Sequence, residues 1–375
     1  MIAEILGAAC VAVWLYLLCG RGGFWRMRDS AGAGPPPAAP PSIVAVIPAR
    51  NEAETAPRAV ASLAGQRYAG AFRVVLVDDA SSDGTAEAAR AAAPAGLLTA
   101  IEAAPLPRGW SGKLWAVSQG IREAGRSKPD YLLLTDADIV HPPGNLGALA
   151  ARAVSGGYDL VSYMATLECR SLAERAMVPA FVFFFFMLYP PAWIRDPRRG
   201  AAGAAGGCML IRRETLERIG GIESIRGELI DDCALARAVK RGGGRVWLGL
   251  SAATRSIRRY GTFGEVFRTI SRTAFTQLKH SHTLLAGTVA GLALTYLAPP
   301  ALALGPFGGA ARAAGAAAWL LMCACYLPAL RFYRRSPLWA PLLPLVSAFY
   351  MAATAYSAAA HGRGAGGMWK GRAQG

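Results

Sequence analysis

Charge is scarce in this chain, and acidic charge most of all: 17% of its 375 residues are charged, with 24 Asp and Glu against 40 Lys and Arg. Histidine occurs four times and no C-x-x-C pair or other zinc-ligand spacing is present, which excludes the common zinc modules. The seven cysteines are odd in number and several sit inside apolar stretches. They read as small buried hydrophobes in a reducing compartment, not as a disulfide framework. A lysine-rich arm and an RNP-like motif are also missing. The net charge of +16 therefore points away from nucleic acid. It points toward an anionic membrane surface, because much of the arginine flanks apolar segments: Arg21, Arg26, Arg28, Arg258, Arg259, Arg331, Arg334 and Arg335.

Apolar residues are abundant, at 53%, which is too many for an ordinary soluble enzyme and directs attention to membrane segments. Residues 2–20 (IAEILGAACVAVWLYLLCG) are long enough to span, carry no basic stretch before the apolar core, and are followed by Arg21, Arg26 and Arg28. The pattern predicts a transmembrane anchor over 1–21, with the N-terminus outside and the following chain cytoplasmic. A Pro/Ala/Gly linker is expected over 22–42 and a soluble α/β domain over 43–255. Over 256–282, Phe263, Val266, Phe267, Ile270, Ala274, Phe275 and Leu278 fall at helical spacing, with Arg268, Arg272 and Lys279 around them. This reads as an interfacial amphipathic helix; the plainer alternative is a helix packed on the core.

Three apolar segments (283–305, 311–330 and 337–360) then make up a C-terminal membrane region over 283–361, with a basic connector at 331–335. Pro337, Pro341 and Pro344 mark the last as the weakest straight span. Counting crossings places the tail, 362–375, outside, whereas its Arg363, Lys370 and Arg372 favour the inside. The run FVFFFFMLYPPAW (181–193) is too short to span by itself. It reads either as a buried core helix or as a membrane-dipping element beside a lipid acceptor. The whole pattern predicts a multi-pass protein of the inner (cytoplasmic) membrane with its α/β domain in the cytoplasm.

Within 43–255, the runs IVAVI (43–47), RVVLV (73–77), YLLLT (131–135) and DLVSY (159–163) read as buried strands. Helical stretches at 54–65, 85–93 and 113–124 lie between them. Alternation of this kind predicts a Rossmann-like parallel or mixed sheet, whose ligands bind beyond the carboxyl ends of the strands. The scarce acids gather there. Pro48, Arg50, Asn51 and Glu52 (IPARNE) leave the first strand, and Asp78 and Asp79 (VDDASSDG) leave the second. Asp136 and Asp138 (TDAD) leave the third in such a way that both can approach one hard cation, Mg²⁺ or Mn²⁺, beside a diphosphate. Asp231 and Asp232 (IDDCA) open a helix, where they either stabilise its dipole or supply a general base for an acceptor hydroxyl. A helix cap plus a turn is the plainer reading of Asp78 and Asp79, a polar turn that of Arg50, Asn51 and Glu52, and chance occurrence that of a lone D-x-D.

Taken together, IPARNE, VDDASSDG, the D-x-D of TDAD, Gly112-Lys113-Leu114-Trp115-Ala116, GGCMLIRRE and the acid pair before an apolar helix resemble the family 2 glycosyltransferases over about 43–250. PLPRGWSGKLWAVSQGI, PAFVFFFFMLYP, GGCMLIRRETLERIGGI and LIDDCALARAVKRGGGRVWLGL resemble the hopanoid-biosynthesis-associated branch. The resemblance implies a GT-A-like fold and an inverting, metal-dependent hexosyl transfer from a nucleotide sugar, UDP-linked, to a lipid acceptor. It also implies that Asp79 binds the uracil, Asp136 lies by the donor diphosphate with Lys113, Asp138 holds the metal and Asp232 is the base. One departure stands out: the Q/R-x-x-R-W motif of many relatives has no counterpart in RTISRTAFTQLKH, where Arg272 is the remaining candidate for the diphosphate. Transfer to a polyprenyl phosphate, and a membrane scaffold with a degenerate transferase domain, are the rival readings.

Overall fold

The computed structural model describes all residues except Ala31, Ala33, Gly34, Pro36, 364–367, 370, 371, 374 and 375. Part of the expected linker and Lys370 of the basic tail thus lie outside the described residues. The chain forms two compact units that are interleaved in sequence. One holds Asp29–Glu168 and Trp193–Arg259, and the other holds Met1–Arg28, Cys169–Ala192 and Tyr260–Gly367.

The first unit is built on an eight-stranded sheet. Its strands are β1 (Ile43–Ala49), β2 (Phe72–Asp78), β3 (Leu98–Glu102), β4 (Tyr131–Thr135), β5 (Ile139–Val140), β6 (Leu160–Thr166), β7 (Cys208–Arg212) and β8 (Val246–Ser256). The spatial order is β3-β2-β1-β4-β7-β6-β8-β5. β1 runs parallel to β2 and β4, whereas β7 is antiparallel to both β4 and β6, so the sheet is mixed. β1 is buried at all seven positions, which is why it reads as a continuous apolar run and not as an alternation. Its register sets Ala49 beside Asp78, so the polar segments after β1 and β2 emerge at one level.

Ile43, Ile47, Leu76, Leu133, Leu210, Tyr163 and Trp247 belong to the core on this sheet. Each such side chain contributes about 1.5–3 kcal/mol on burial. Helix Gly112–Gly125 packs against β1 and β2 so closely that a Cβ on Gly120 would overlap Val46 and come within 2.9 Å of Val77. The helix expected near Thr85 runs Thr85–Ala91 and starts from Gly84 in the left-handed region (φ 79°). Asp83 takes the Thr85 N–H.

The second unit is helical. Among the described residues, five stretches are long and apolar enough to cross a membrane: Ile2–Gly20, Leu172–Arg195, His282–Leu304, Gly309–Phe332 and Pro337–Gly362. The second extends the run 181–193, too short to span by itself, toward the N-terminus. The helix begins at Ser171, whose side chain and that of Glu174 form a reciprocal cap, so the aromatic run is only its second half. Aromatic contacts hold it in place. Phe183 packs on Phe24 and Tyr326, and Phe184 on Tyr296 and Tyr350. The prolines of the last segment fall in its 3-10 opening, Pro337–Leu342, and at the start of the α-helix Leu343–Gly362, which then continues without a break. The helix Phe263–Gln277 lays Phe263 and Phe267 on Phe349, and Phe267 also on Tyr356, while Arg268 and Arg272 face outward.

Candidate active site

The carboxyl ends of β1, β2 and β4 carry three of the acid-bearing segments, and their loops are bound to one another. Asn51, held in a left-handed conformation (φ 50°), donates its N–H to Ser81 Oγ at 2.9 Å and accepts the Ser82 N–H on its own Oδ1 at 2.9 Å. The Glu52 N–H donates to Thr85 Oγ1 and the Ala53 N–H to Asp83. Asp78 accepts the Ser81 N–H at 2.9 Å, which assigns one of its oxygens to the turn. Asp79 is buried, with Arg50 Nη1 3.5 Å from its Oδ2 and also donating to its backbone carbonyl. Arg50 therefore sets the position of Asp79 from the neighbouring strand.

A second cluster forms around Lys113, in the first turn of the helix capped by Ser111. Its Nζ lies 2.9 Å from Asp136 and 3.1 Å from Asp231. Burial pulls the ammonium toward neutrality, but Asp136 and Asp231 outweigh it and hold the lysine charged. Asp232 stands beside this group. Its Oδ2 accepts the Gly206 N–H at 2.9 Å and its Oδ1 the Cys233 N–H at 2.7 Å. Removal from water, and then the neighbouring Asp231, push the Asp232 carboxyl up to about 6, although Lys113 and the two N–H groups oppose the rise. Pro48, Lys113, Asp136, Gly206 and Asp231 share the lining of one cleft, whose apolar wall includes Leu114, Val117, Met209, Ile222, Ile225 and Leu235.

Asp138 has a partner that sequence reasoning missed. Arg258, just past the end of β8, places Nε 2.8 Å from Asp138 Oδ2 and Nη2 2.6 Å from Glu52 Oε1. Ser256 Oγ adds a bond to the same Asp138 oxygen at 3.3 Å. Burial raises the Asp138 carboxyl, against the pull of Arg258. The signal was present in principle, a basic residue leaving a long apolar strand, but VWLGLSAATRS was not read as one.

Among the described residues no group of three or more His, Cys, Asp or Glu side chains is arranged to hold a metal. The donor chemistry of Asp136 and Asp138 nonetheless fits Mg²⁺ or Mn²⁺, which need only one or two carboxylates when substrate phosphates complete the shell. Asp136 is about a third exposed and faces the cleft, whereas Asp138 is committed to Arg258. Arg272 lies on Phe263–Gln277 in the helical unit, not in the unit that holds these clusters.

Residues 44–220, somewhat under half of the chain, match the family model described as Glycosyl transferase family 2, and this stretch is similar to that family. Two curated relatives, from Pseudomonas paraeruginosa and Pseudomonas aeruginosa, bear the name undecaprenyl-phosphate 4-deoxy-4-formamido-L-arabinose transferase. Each is 35% identical over 121 residues, covering 32% of this chain and 34% of theirs. The matched part is thus about a third of those proteins. Among solved structures, a mannosyltransferase from Pyrobaculum calidifontis in complex with GDP-Man and Mn²⁺ superposes with a TM-score of 0.55 at 20% identity, over 95% of this chain and 98% of that one. The fold is accordingly GT-A-like α/β, as the motif order implied.

Proposed function

We propose that this protein is a membrane-bound, inverting glycosyltransferase that moves a sugar from a nucleotide sugar, UDP-linked, to a lipid acceptor. The observation that carries the reading is Asp232: a carboxylate pushed up to about 6, fixed by the Gly206 N–H, beside the Lys113–Asp136–Asp231 cluster. A base near neutrality is matched to taking a hydroxyl proton. In a single displacement, Asp232 accepts the acceptor's hydroxyl proton as its oxygen attacks the anomeric carbon, and the nucleoside diphosphate leaves from the other face. Asp79, set by Arg50, is assigned to the pyrimidine; Asn51 and Glu52 shape the loop beside it, and Pro48 and Asp78 contribute from the ends of β1 and β2. Asp136 and Asp138 would hold Mg²⁺ or Mn²⁺, which when bound neutralises charge on the departing diphosphate. Lys113 orients Asp136 and Asp231.

The acceptor proposed is a hopanoid, at the cytoplasmic face of the inner membrane. This rests on the stretches quoted above and on the apolar helices, five of which have the length and composition to cross. Comparing lipid profiles by mass spectrometry with and without the chain tests donor and acceptor together. A hopanoid one sugar heavier should appear only with the chain, and an unchanged profile would refute the assignment. The second reading, transfer to a polyprenyl phosphate, is favoured by the name of the Pseudomonas relatives. A phosphate acceptor is already deprotonated and needs no base, so Asp232→Asn separates the two. The variant abolishes transfer to an alcohol while leaving UDP affinity intact, and retains transfer to a phosphate.

A further inference from the structure

Whether an apolar helix crosses a membrane depends on where its ends must lie as well as on its length. Leu172–Arg195 meets the length and composition for a crossing. Yet β6 before it and β7 after it are hydrogen-bonded neighbours in one sheet, Leu160 opposite Ile211 and Ser162 opposite Met209. Paired strands of an open sheet cannot lie on opposite sides of a bilayer, because hydrocarbon offers no partners for the backbone between them. Just past the helix, Lys240 Nζ, on Asp231–Arg241 of the sheet unit, donates to the carbonyls of Trp193 at 3.2 Å and Ile194 at 2.8 Å, so residues 168 and 193 sit at one face.

Hydrogen bonds at both ends of the helix agree. The Glu174 carboxylate accepts N–H groups from Arg170 (2.7 Å), Ser171 (2.9 Å) and Tyr260 (2.6 Å). It thereby ties the first turn to the residue where the chain re-enters the helical unit. At the far end Arg21, the first charged residue after Ile2–Gly20, donates Nε to the Met187 carbonyl at 3.0 Å.

Length rules out a plunge and return. The Leu172–Leu188 helix has 17 residues, about 25 Å at 1.5 Å per residue. The four residues 189–192 before Trp193 could bridge only about 17 Å even if fully extended. A helix driven down its whole length could not bring the chain back. Its surface fits the remaining orientation. Phe181 and Leu188 are 39% and 50% exposed, and Phe185 between them completes an i, i+4, i+7 stripe, while Val182, Phe183 and Phe186 are buried.

We propose that Leu172–Leu188 does not cross the membrane but lies along one interface of it, with Phe181, Phe185 and Leu188 turned into the acyl chains. This rests on the membrane reading of the helical unit. The test uses the full-length chain in liposomes, with Cys19→Ser and Cys169→Ser removing two accessible thiols. A membrane-impermeant maleimide should modify added Arg170→Cys and Arg198→Cys from the same side of sealed vesicles. A nitroxide on Phe181→Cys should collide with oxygen more than with a water-soluble nickel complex, at a shallower depth than one on Leu320→Cys, in the middle of Gly309–Phe332. Labelling from opposite sides, or a Phe181→Cys probe as deep as Leu320→Cys, would overturn the proposal. A nickel-accessible probe at Phe181→Cys with a lipid-exposed one at Leu320→Cys would also overturn it, while sparing the membrane reading. Nickel access at both positions would remove the membrane reading itself.

Discussion

Asp232 and Lys113 compete over a single proton balance. Burial and Asp231 raise the Asp232 carboxyl, and Lys113 holds it down. A base must be deprotonated to act, so turnover should fall about tenfold per pH unit below about 6 and level off above it. A pH–rate profile flat from pH 5 to 8 would exclude Asp232 as the base. Lys113→Met removes the opposing charge and should move this acid limb to higher pH, whereas a lysine that only supports the fold would lower the plateau without moving the limb. Arg258 makes a different kind of contribution. Arg258→Gln leaves Asp138 and Glu52, both nearly enclosed, without their guanidinium. Removing one partner of a fully buried pair costs about 3–5 kcal/mol. The Arg258 side chain is 37% exposed, so water screens part of the loss and about 2 kcal/mol is expected in a denaturation measurement.

Among the elements, the helix Gly112–Gly125 shows why local preference is a weak guide. Alanine is favoured over glycine by about 1 kcal/mol inside a helix, so Gly120→Ala would help an isolated helix. Here the new methyl meets Val46 and Val77 on the strands beneath. Overpacking of this sort costs about 1–3 kcal/mol, and the net effect should be a lowered melting temperature, with a rise counting against the packing. The strands divide in the same way. β1, β2 and β4 were legible because each is a continuous apolar run ending in a polar cluster. β7 was not: CMLIR follows a run of glycine and alanine, and its antiparallel place between β4 and β6 comes from pairing with distant segments. β8 was missed likewise, and Arg258 with it.

At the level of the whole molecule, the chain enters the helical unit three times, and its middle visit interrupts the sheet between β6 and β7. A fragment of residues 43–255 would keep Leu172–Leu188 but lose Phe24, Tyr296, Tyr326 and Tyr350, against which Phe183 and Phe184 pack. Such a fragment should aggregate without detergent, and a monodisperse soluble product in size-exclusion chromatography would contradict the interleaved architecture.

From the sequence alone came the positions of the acids, because a carboxylate closing an apolar run is a local pattern, and four of the five long apolar stretches, because hydropathy is local too. Only the tertiary structure decided which charges meet. Arg258 lies 120 residues from Asp138 and 206 from Glu52, and nothing local to either carboxylate announces the pairing. It also decided that the strands on either side of the aromatic helix pair in one sheet, the constraint on which the proposed interfacial placement rests and one absent from the helix's own residues.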